Sequence, residues 1–171
     1  RVAPAEVAES ADASGDPEAM VAHNAALKAE AGAAREPDAL VLGCDTTVAL
    51  DGGILGKPPD MEVARAMLRR LSGREHCVHT AVALRWTDGA FADAFSDVAR
   101  VRFRDLDEGA IEAYLRKVDP LDKAGAYGIQ AGGGALVAAL AGETETVMGL
   151  PAHLLAARLR EHGFDFRDET H

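Results

Sequence analysis

Three short runs in this sequence carry residue types that could act on a charged substrate. The first is Leu42-Gly43-Cys44-Asp45-Thr46-Thr47. An acid at the end of an apolar run is costly to bury unless a metal, a cation or a solvated loop receives it. Strand ends are also where α/β sheets place their ligands. An aspartate there can equally cap a turn, and taken alone Asp45 admits both readings. The second run, Ile54-Leu55-Gly56-Lys57-Pro58, holds a Gly-Lys pair but no phosphate-binding P-loop. That loop requires a glycine separated by four residues from its Gly-Lys and a Ser or Thr after it, where this chain has Asp51 and Pro58. Lys57 is then either a solvated surface lysine or a cation delivered beside Asp45 by a tight hairpin. The third run, Asp122-Lys123-Ala124-Gly125-Ala126-Tyr127-Gly128-Ile129-Gln130, clusters an acid, a cation and an amide around glycines that permit close backbone approach. A surface loop explains the glycines but not the clustering.

Other candidates carry less. His76 and His79 form an H-x-x-H, yet three residues apart on an alternating strand they point to opposite faces, which argues against a zinc site. Arg100, Arg102 and Arg104 alternate along one strand and read as a solvated face or an interface. The net charge of −10 makes a nucleic-acid groove or an anionic membrane surface a poor fit. Any anionic small-molecule substrate therefore needs local cations that can be named, and a divalent metal would assist them. Cys44 and Cys77, far apart in apolar surroundings, read as free thiols in a reducing compartment. No run approaches the roughly 18 apolar residues of a membrane span, and no signal-peptide pattern opens the chain, so a soluble protein is expected.

The elements that must position these residues can be read in outline. With 171 residues and 48% hydrophobic content the chain can bury one compact core. A polar loop from Glu9 to Asp16 leads to Asp16-Pro17-Glu18, a helix start with Asp16 as N-cap. That helix should reach about Ala31, with Met20, Leu27 and Ala31 partly buried. Ala39 to Cys44 reads as a buried strand that continues to Leu50, turns at Asp51-Gly52-Gly53 and returns. A second helix over Met61–Leu71 follows Pro58-Pro59-Asp60. His76 to Trp86 alternates as a strand, Asp88-Gly89 is a hairpin turn, and Ala90–Phe95 and Val98–Phe103 read as two further strands. Asp107 caps a helix with Ile111, Tyr114 and Leu115. Ala135–Leu140 is apolar, and a last helix runs from Pro151 to Gly163 with Leu154, Leu155 and Leu159 inward. Helices interleaved with hairpins favour an α/β fold whose sheet is mixed and contains antiparallel pairs.

Taken in order, these motifs resemble Maf proteins. The likeness runs through Gly43-Cys44-Asp45-Thr46-Thr47-Val48, Ile54-Leu55-Gly56-Lys57-Pro58 and Met67-Leu68-Arg69-Arg70-Leu71-Ser72-Gly73 with His76, Val78 and Thr80. It continues through Val101-Arg102-Phe103, Ile111-Glu112-Ala113-Tyr114, Asp122 to Gln130 and Gly149-Leu150-Pro151. No single motif is specific, but together they cover nearly the whole chain, read as one domain over 1–171. The resemblance implies a fold akin to inosine triphosphatases, a cytoplasmic homodimer, and hydrolysis of nucleoside triphosphates to monophosphate and pyrophosphate with Mg²⁺ or Mn²⁺. It implies Asp45 as the catalytic acid and a metal ligand, and Glu9 as a second metal ligand. Lys28 and Lys57 become catalytic cations, and Thr46, Gln130 and Lys123 contact the substrate. Asp45-Thr46 followed downstream by Gly128-Ile129-Gln130 is similar to the branch acting on dTTP and UTP. The alternatives are a pyrophosphatase for 7-methyl-GTP or deaminated purines, or a non-catalytic regulator of septum formation. Family members open with a strand and a Ser/Arg loop; Arg1-Val2-Ala3-Pro4 falls where that loop is expected to have ended.

Overall fold

The computed structural model describes Val2, residues 7–9 and residues 15–164. Residues 1, 3–6, 10–14 and 165–171 lie outside that description, which removes most of the expected Glu9–Asp16 loop from view.

The first helix, α1 (Pro17–Arg35), begins as its sequence dictates. The Asp16 carboxylate accepts hydrogen bonds from the Glu18 and Ala19 amides, and proline occupies the first turn, where its missing N–H costs nothing. An alanine-rich interior favours the helix intrinsically. Its buried line is Val21, Asn24, Ala25, Ala29 and Ala33, and Met20, Leu27 and Ala31 are half-buried, as expected. The small buried residues matter for function because they let the helix lie close on the sheet.

Five strands form that sheet in the order β2-β1-β3-β4-β5, and every pairing among the described residues is antiparallel. They are β1 (Val41–Leu50), β2 (Gly53–Leu55), β3 (Glu75–Trp86), β4 (Phe91–Phe103) and β5 (Val137–Ala141). β1 turns into β2 through Asp51-Gly52, both at positive φ, the geometry a two-residue hairpin favours. β2 pairs only with Val48–Leu50, so the preceding part of β1 has β3 on one side and, among the described residues, no strand on the other.

One expectation is corrected. The segment read as two strands, Ala90–Phe95 and Val98–Phe103, is the single strand β4, and its register with β3 runs unbroken through Ser96 and Asp97. Ser96 bonds the Glu18 carboxylate and Asp97 accepts from the Thr146 hydroxyl, so tertiary partners hold two residues of low strand propensity in the ladder.

The sheet has two unequal faces. On one, α1 packs Val21, Ala25 and Ala29 against Ala81 and Ala83. The other carries the larger core, where Val48, Val78, Val101 and Phe103 meet Leu68 and Leu71 of α2 (Met61–Leu71) and Ile111 and Tyr114 of α3 (Glu108–Leu115). Asp60 and Asp107 cap these helices by accepting from the Val63 and Ala110 amides, at 2.8 and 2.7 Å. Two short helices, α4 (Thr144–Met148) and α5 (Ala152–Glu161), complete the described chain; Leu159 is buried and Leu154 and Leu155 are half-buried. None of the described helices is long and apolar enough to cross a membrane.

Candidate active site

Asp45 and Thr46 are neighbours on a strand, so their side chains leave opposite faces of the sheet. Asp45 is in register with Ala81, beneath α1, and Thr46 with Thr80, on the face of the larger core. Both also line one cavity of about 370 Å³, together with Lys28, Lys57, Lys123 and Gln130. They can do so because the cavity lies at the edge of β1 that β2 has already left and that no other strand among the described residues covers. A strand edge is thus used twice, one residue of it for each face.

The approach of α1 sets the charged half. Gly43 sits directly beneath the helix: a Cβ there would fall 2.2 Å from the Ala25 carbonyl oxygen and 2.4 Å from the Ala29 nitrogen. No side chain fits, and the glycine brings Asn24 and Lys28, one helical turn apart, over Asp45. Asn24 Nδ2 donates to Asp45 Oδ2 at 3.1 Å. Lys28 Nζ donates to Asp45 Oδ1 at 2.6 Å and to the Cys44 carbonyl at 3.2 Å, and meets Glu9 Oε1 at 2.8 Å. Three acceptors match the three N–H groups of an ammonium. Lys57 Nζ lies 3.6 Å from Glu9 Oε2 and is more than half exposed.

Electrostatics follow from this packing. Burial works against the Lys28 ammonium, but the bonds to Asp45 and Glu9 outweigh it and raise its pKa above the ordinary lysine value. The bond from Lys28 holds the Glu9 carboxyl below the usual range. Burial pushes the neighbouring Cys44 up, so it stands as a neutral thiol. Both cysteines are free, as expected.

The other half of the cavity combines hydroxyl groups with the paired Lys123 and Asp122. Thr46 Oγ1 lies 2.8 Å from Thr80 Oγ1, and Thr80 Oγ1 donates to the Thr146 carbonyl at 2.8 Å. Thr80 and Thr146 are fully buried. Lys123 Nζ is held by Asp122 Oδ1 at 2.5 Å and by the Asp119 carbonyl at 3.2 Å, while Gln130 is exposed at the rim. Deeper in, His76 Nε2 is 2.8 Å from the Tyr127 hydroxyl, and both rings stack edge-on with Phe103. Burial pulls the His76 pKa down to about 4 and pushes the Tyr127 phenol up. As the alternation foretold, His76 and His79 diverge, and no group of three or more His, Cys, Asp or Glu among the described residues could hold a metal by itself.

The donor chemistry suits a particular kind of cation. Glu9 and Asp45 converge on the same ammonium and offer only oxygen. A Mg²⁺ or Mn²⁺ that keeps waters and shares substrate phosphate oxygens needs no more than one or two carboxylates. A closed cage for zinc or calcium needs more ligands than this pair supplies.

All seven residues singled out from sequence therefore meet: six line the cavity, and Glu9 reaches it through Lys28 and Lys57. Sequence reading missed Asn24 and the role of Thr80 in anchoring Thr46. The spacing of Asn24, four before Lys28, places both on one helix face and was a usable signal. A threonine in an alternating strand gives no comparable one.

An antiparallel sheet with a carboxylate–lysine cluster at one end of a cavity and hydroxyl groups at the other defines a protein with a polar small-molecule cleft. The chain belongs to the Maf family: the family model described as Maf-like protein matches residues 1–162. Among its relatives, a dTTP/UTP pyrophosphatase of Myxococcus xanthus (strain DK1622) is 46% identical over 162 residues, covering 95% of this chain and 81% of the relative. A protein of the same name from Symbiobacterium thermophilum is 44% identical over 163 residues, with 95% and 83% covered. One from Bordetella pertussis is 48% identical over 127 residues, covering 74% of this chain and 60% of its own length.

Proposed function

We propose that this chain hydrolyses dTTP and UTP to the nucleoside monophosphate and pyrophosphate. The observation that carries the reading is the convergence of Asp45, Lys28, Glu9 and Lys57 at one end of a cavity that also presents the Thr46 hydroxyl and Gln130. Relatives at 44–46% identity over most of the chain, named dTTP/UTP pyrophosphatase, support it.

A triphosphate carries about four negative charges, and attack by water requires that charge to be balanced. Asp45 and Glu9 would hold a divalent cation, Mg²⁺ or Mn²⁺, which supplies charge neutralisation at the phosphate oxygens. Lys28, kept cationic by its carboxylate partners, and the more exposed Lys57 oppose the charge that develops on the phosphate chain. In this reading Asp45 would also orient and deprotonate the attacking water, with Asn24 and Lys28 each holding one of its oxygens. Thr46 and Gln130 contact the base, and Lys123 reinforces the cationic rim. A homodimer and a cytoplasmic setting belong to the same reading and rest on the family resemblance.

Pyrophosphate release from a panel of nucleotides with Mg²⁺ or Mn²⁺ tests the proposal. The expected result is turnover of dTTP and UTP above all others. Preference for 7-methyl-GTP or dITP would move the chain to another substrate class. Absence of turnover alongside retained nucleotide binding would favour a regulatory role.

A further inference from the structure

A hydroxyl has one proton to donate and two lone pairs to accept with, so a chain of hydroxyls has a direction once one end is fixed. Here it is fixed. Thr80 Oγ1 bonds the Thr146 carbonyl at 2.8 Å, and a carbonyl only accepts, so the single Thr80 proton is committed there. The 2.8 Å contact between Thr46 and Thr80 must then use the Thr46 proton. Thr46 is left with lone pairs alone to offer the cavity.

The residues around this chain of hydroxyls are tied together. Thr46, Thr80 and Asp97 are aligned across β1, β3 and β4, and the Thr146 hydroxyl donates to Asp97, which ties α4 to the same line. Thr80 and Thr146 are excluded from solvent, so water does not compete for their protons. The hydroxyl of Thr46 also stays uncovered on the α4 side. At Gly149, with φ of 99°, an added Cβ would come within 3.3 Å of Thr46 Oγ1.

We propose that Thr80 is a positioning residue that makes Thr46 a pure hydrogen-bond acceptor, and that this polarity selects bases carrying a ring N–H. The inference rests on the dTTP/UTP reading above and deepens it. Uracil and thymine share an imide N3–H that an acceptor-only hydroxyl can receive. Cytosine presents an unprotonated N3 at the same position, and two acceptors facing each other in a partly buried site leave both unsatisfied. Sites built around one such bond reject the mismatched ligand strongly. Without the Thr80 partner, the Thr46 hydroxyl is free to rotate and donate instead, and cytosine becomes acceptable.

The test compares wild type, Thr80→Val, Thr80→Ser and Thr80→Cys. Binding of UMP, CMP and 3-methyluridine monophosphate is measured by calorimetry with Mg²⁺, and kcat and KM are measured for UTP and CTP. Wild type and Thr80→Ser are expected to favour UMP over both competitors by about tenfold or more. In Thr80→Val the UMP-to-CMP preference falls to about threefold or less, while 3-methyluridine monophosphate, sterically blocked at N3, stays rejected. The same shift appears in the UTP-to-CTP ratio of KM rather than in kcat. Thr80→Cys, whose thiol is a weak donor, falls between and serves if the valine variant does not fold. Equal binding of UMP and CMP by wild type, or an unchanged ratio in folded Thr80→Val or Thr80→Cys, overturns the proposal. Preserved UMP selectivity without hydrolysis of dTTP or UTP would instead sink the proposed activity and leave this inference standing.

Discussion

Asp45 and Thr46 are adjacent in sequence, yet they stand in opposite physical regimes. Asp45 lies under α1 among charges: an ammonium at 2.6 Å, an amide at 3.1 Å and a second carboxylate across the same lysine. Thr46 lies on the other face in a line of neutral hydroxyls anchored to a buried carbonyl. The first arrangement suits a polyanion and whatever cation accompanies it. The second offers a hydroxyl of fixed polarity and suits a neutral, directional partner such as a base edge. A strand edge with one residue pointing to each face lets a single cavity present both, without the charged half lowering the selectivity of the neutral half.

The largest way to break this contrast is to discharge one side. Lys28→Met removes the cation between Asp45 and Glu9, and kcat/KM for the triphosphate should fall about 10²- to 10³-fold while the ratio of UTP to CTP stays put. Steady-state kinetics on both nucleotides check it; a changed ratio with little loss of rate would mean the two faces are not separate.

A structural break comes next. Gly43→Ala must push α1 off β1, because its Cβ has no room beside Ala25 and Ala29. Overpacking of this kind costs about 3 kcal/mol, read as a lower urea midpoint, and triphosphate turnover should drop with it as Asn24 and Lys28 move from Asp45. Unchanged stability would show that the helix is not seated as tightly as the geometry indicates.

The neutral face has its own weakness, which is acid. His76 shares that face with Thr80 and is buried uncharged, with a pKa pulled down to about 4 by burial. Between pH 6.5 and 4 the unfolded chain takes up a proton at this histidine and the folded one does not, so stability declines as pH falls through that window. The loss amounts to about 3 kcal/mol at most. Urea melts at pH 7 and pH 4.5 on wild type and His76→Gln measure it. The variant should lose most of the slope, and an equal slope in both would assign the acid sensitivity elsewhere.

The smallest expected effect is at the mouth of the neutral side. Gly149→Ala places a side chain at positive φ and against the Thr46 hydroxyl. About 1 kcal/mol of stability should be lost, with a few-fold rise in KM for UTP, seen by thermal melting and kinetics.

Much of this contrast is legible in the amino-acid sequence alone. Asp45 at the end of an apolar run, Lys57 after a hairpin and Lys123 with Gln130 among glycines are visible as residue types at suggestive spacing. The helix caps Asp16, Asp60 and Asp107 follow local rules that tertiary context rarely overrides. What stays hidden depends on contacts distant in sequence. Ser96 and Asp97 look like a strand break until Glu18 and Thr146 hold them in the ladder. The polarity of Thr46 is set 34 and then 66 residues further along two successive bonds, through Thr80 to Thr146. The closeness of α1 to β1, on which the charged side depends, is encoded by one glycine and several alanines whose meaning emerges only when helix and sheet are docked.

The central claim is that two adjacent residues divide the labour, Asp45 for the chemistry and Thr46 for the choice of base. Measuring kcat and KM for dTTP, UTP and CTP in Asp45→Asn and Thr46→Val tests it most directly. Folded Asp45→Asn should lose about 10²- to 10⁴-fold in kcat on every nucleotide turned over, whereas Thr46→Val should keep most of its kcat and lose the discrimination against CTP. Retained turnover in a folded Asp45→Asn protein, or a Thr46→Val protein slowed equally on all three nucleotides, would contradict the account.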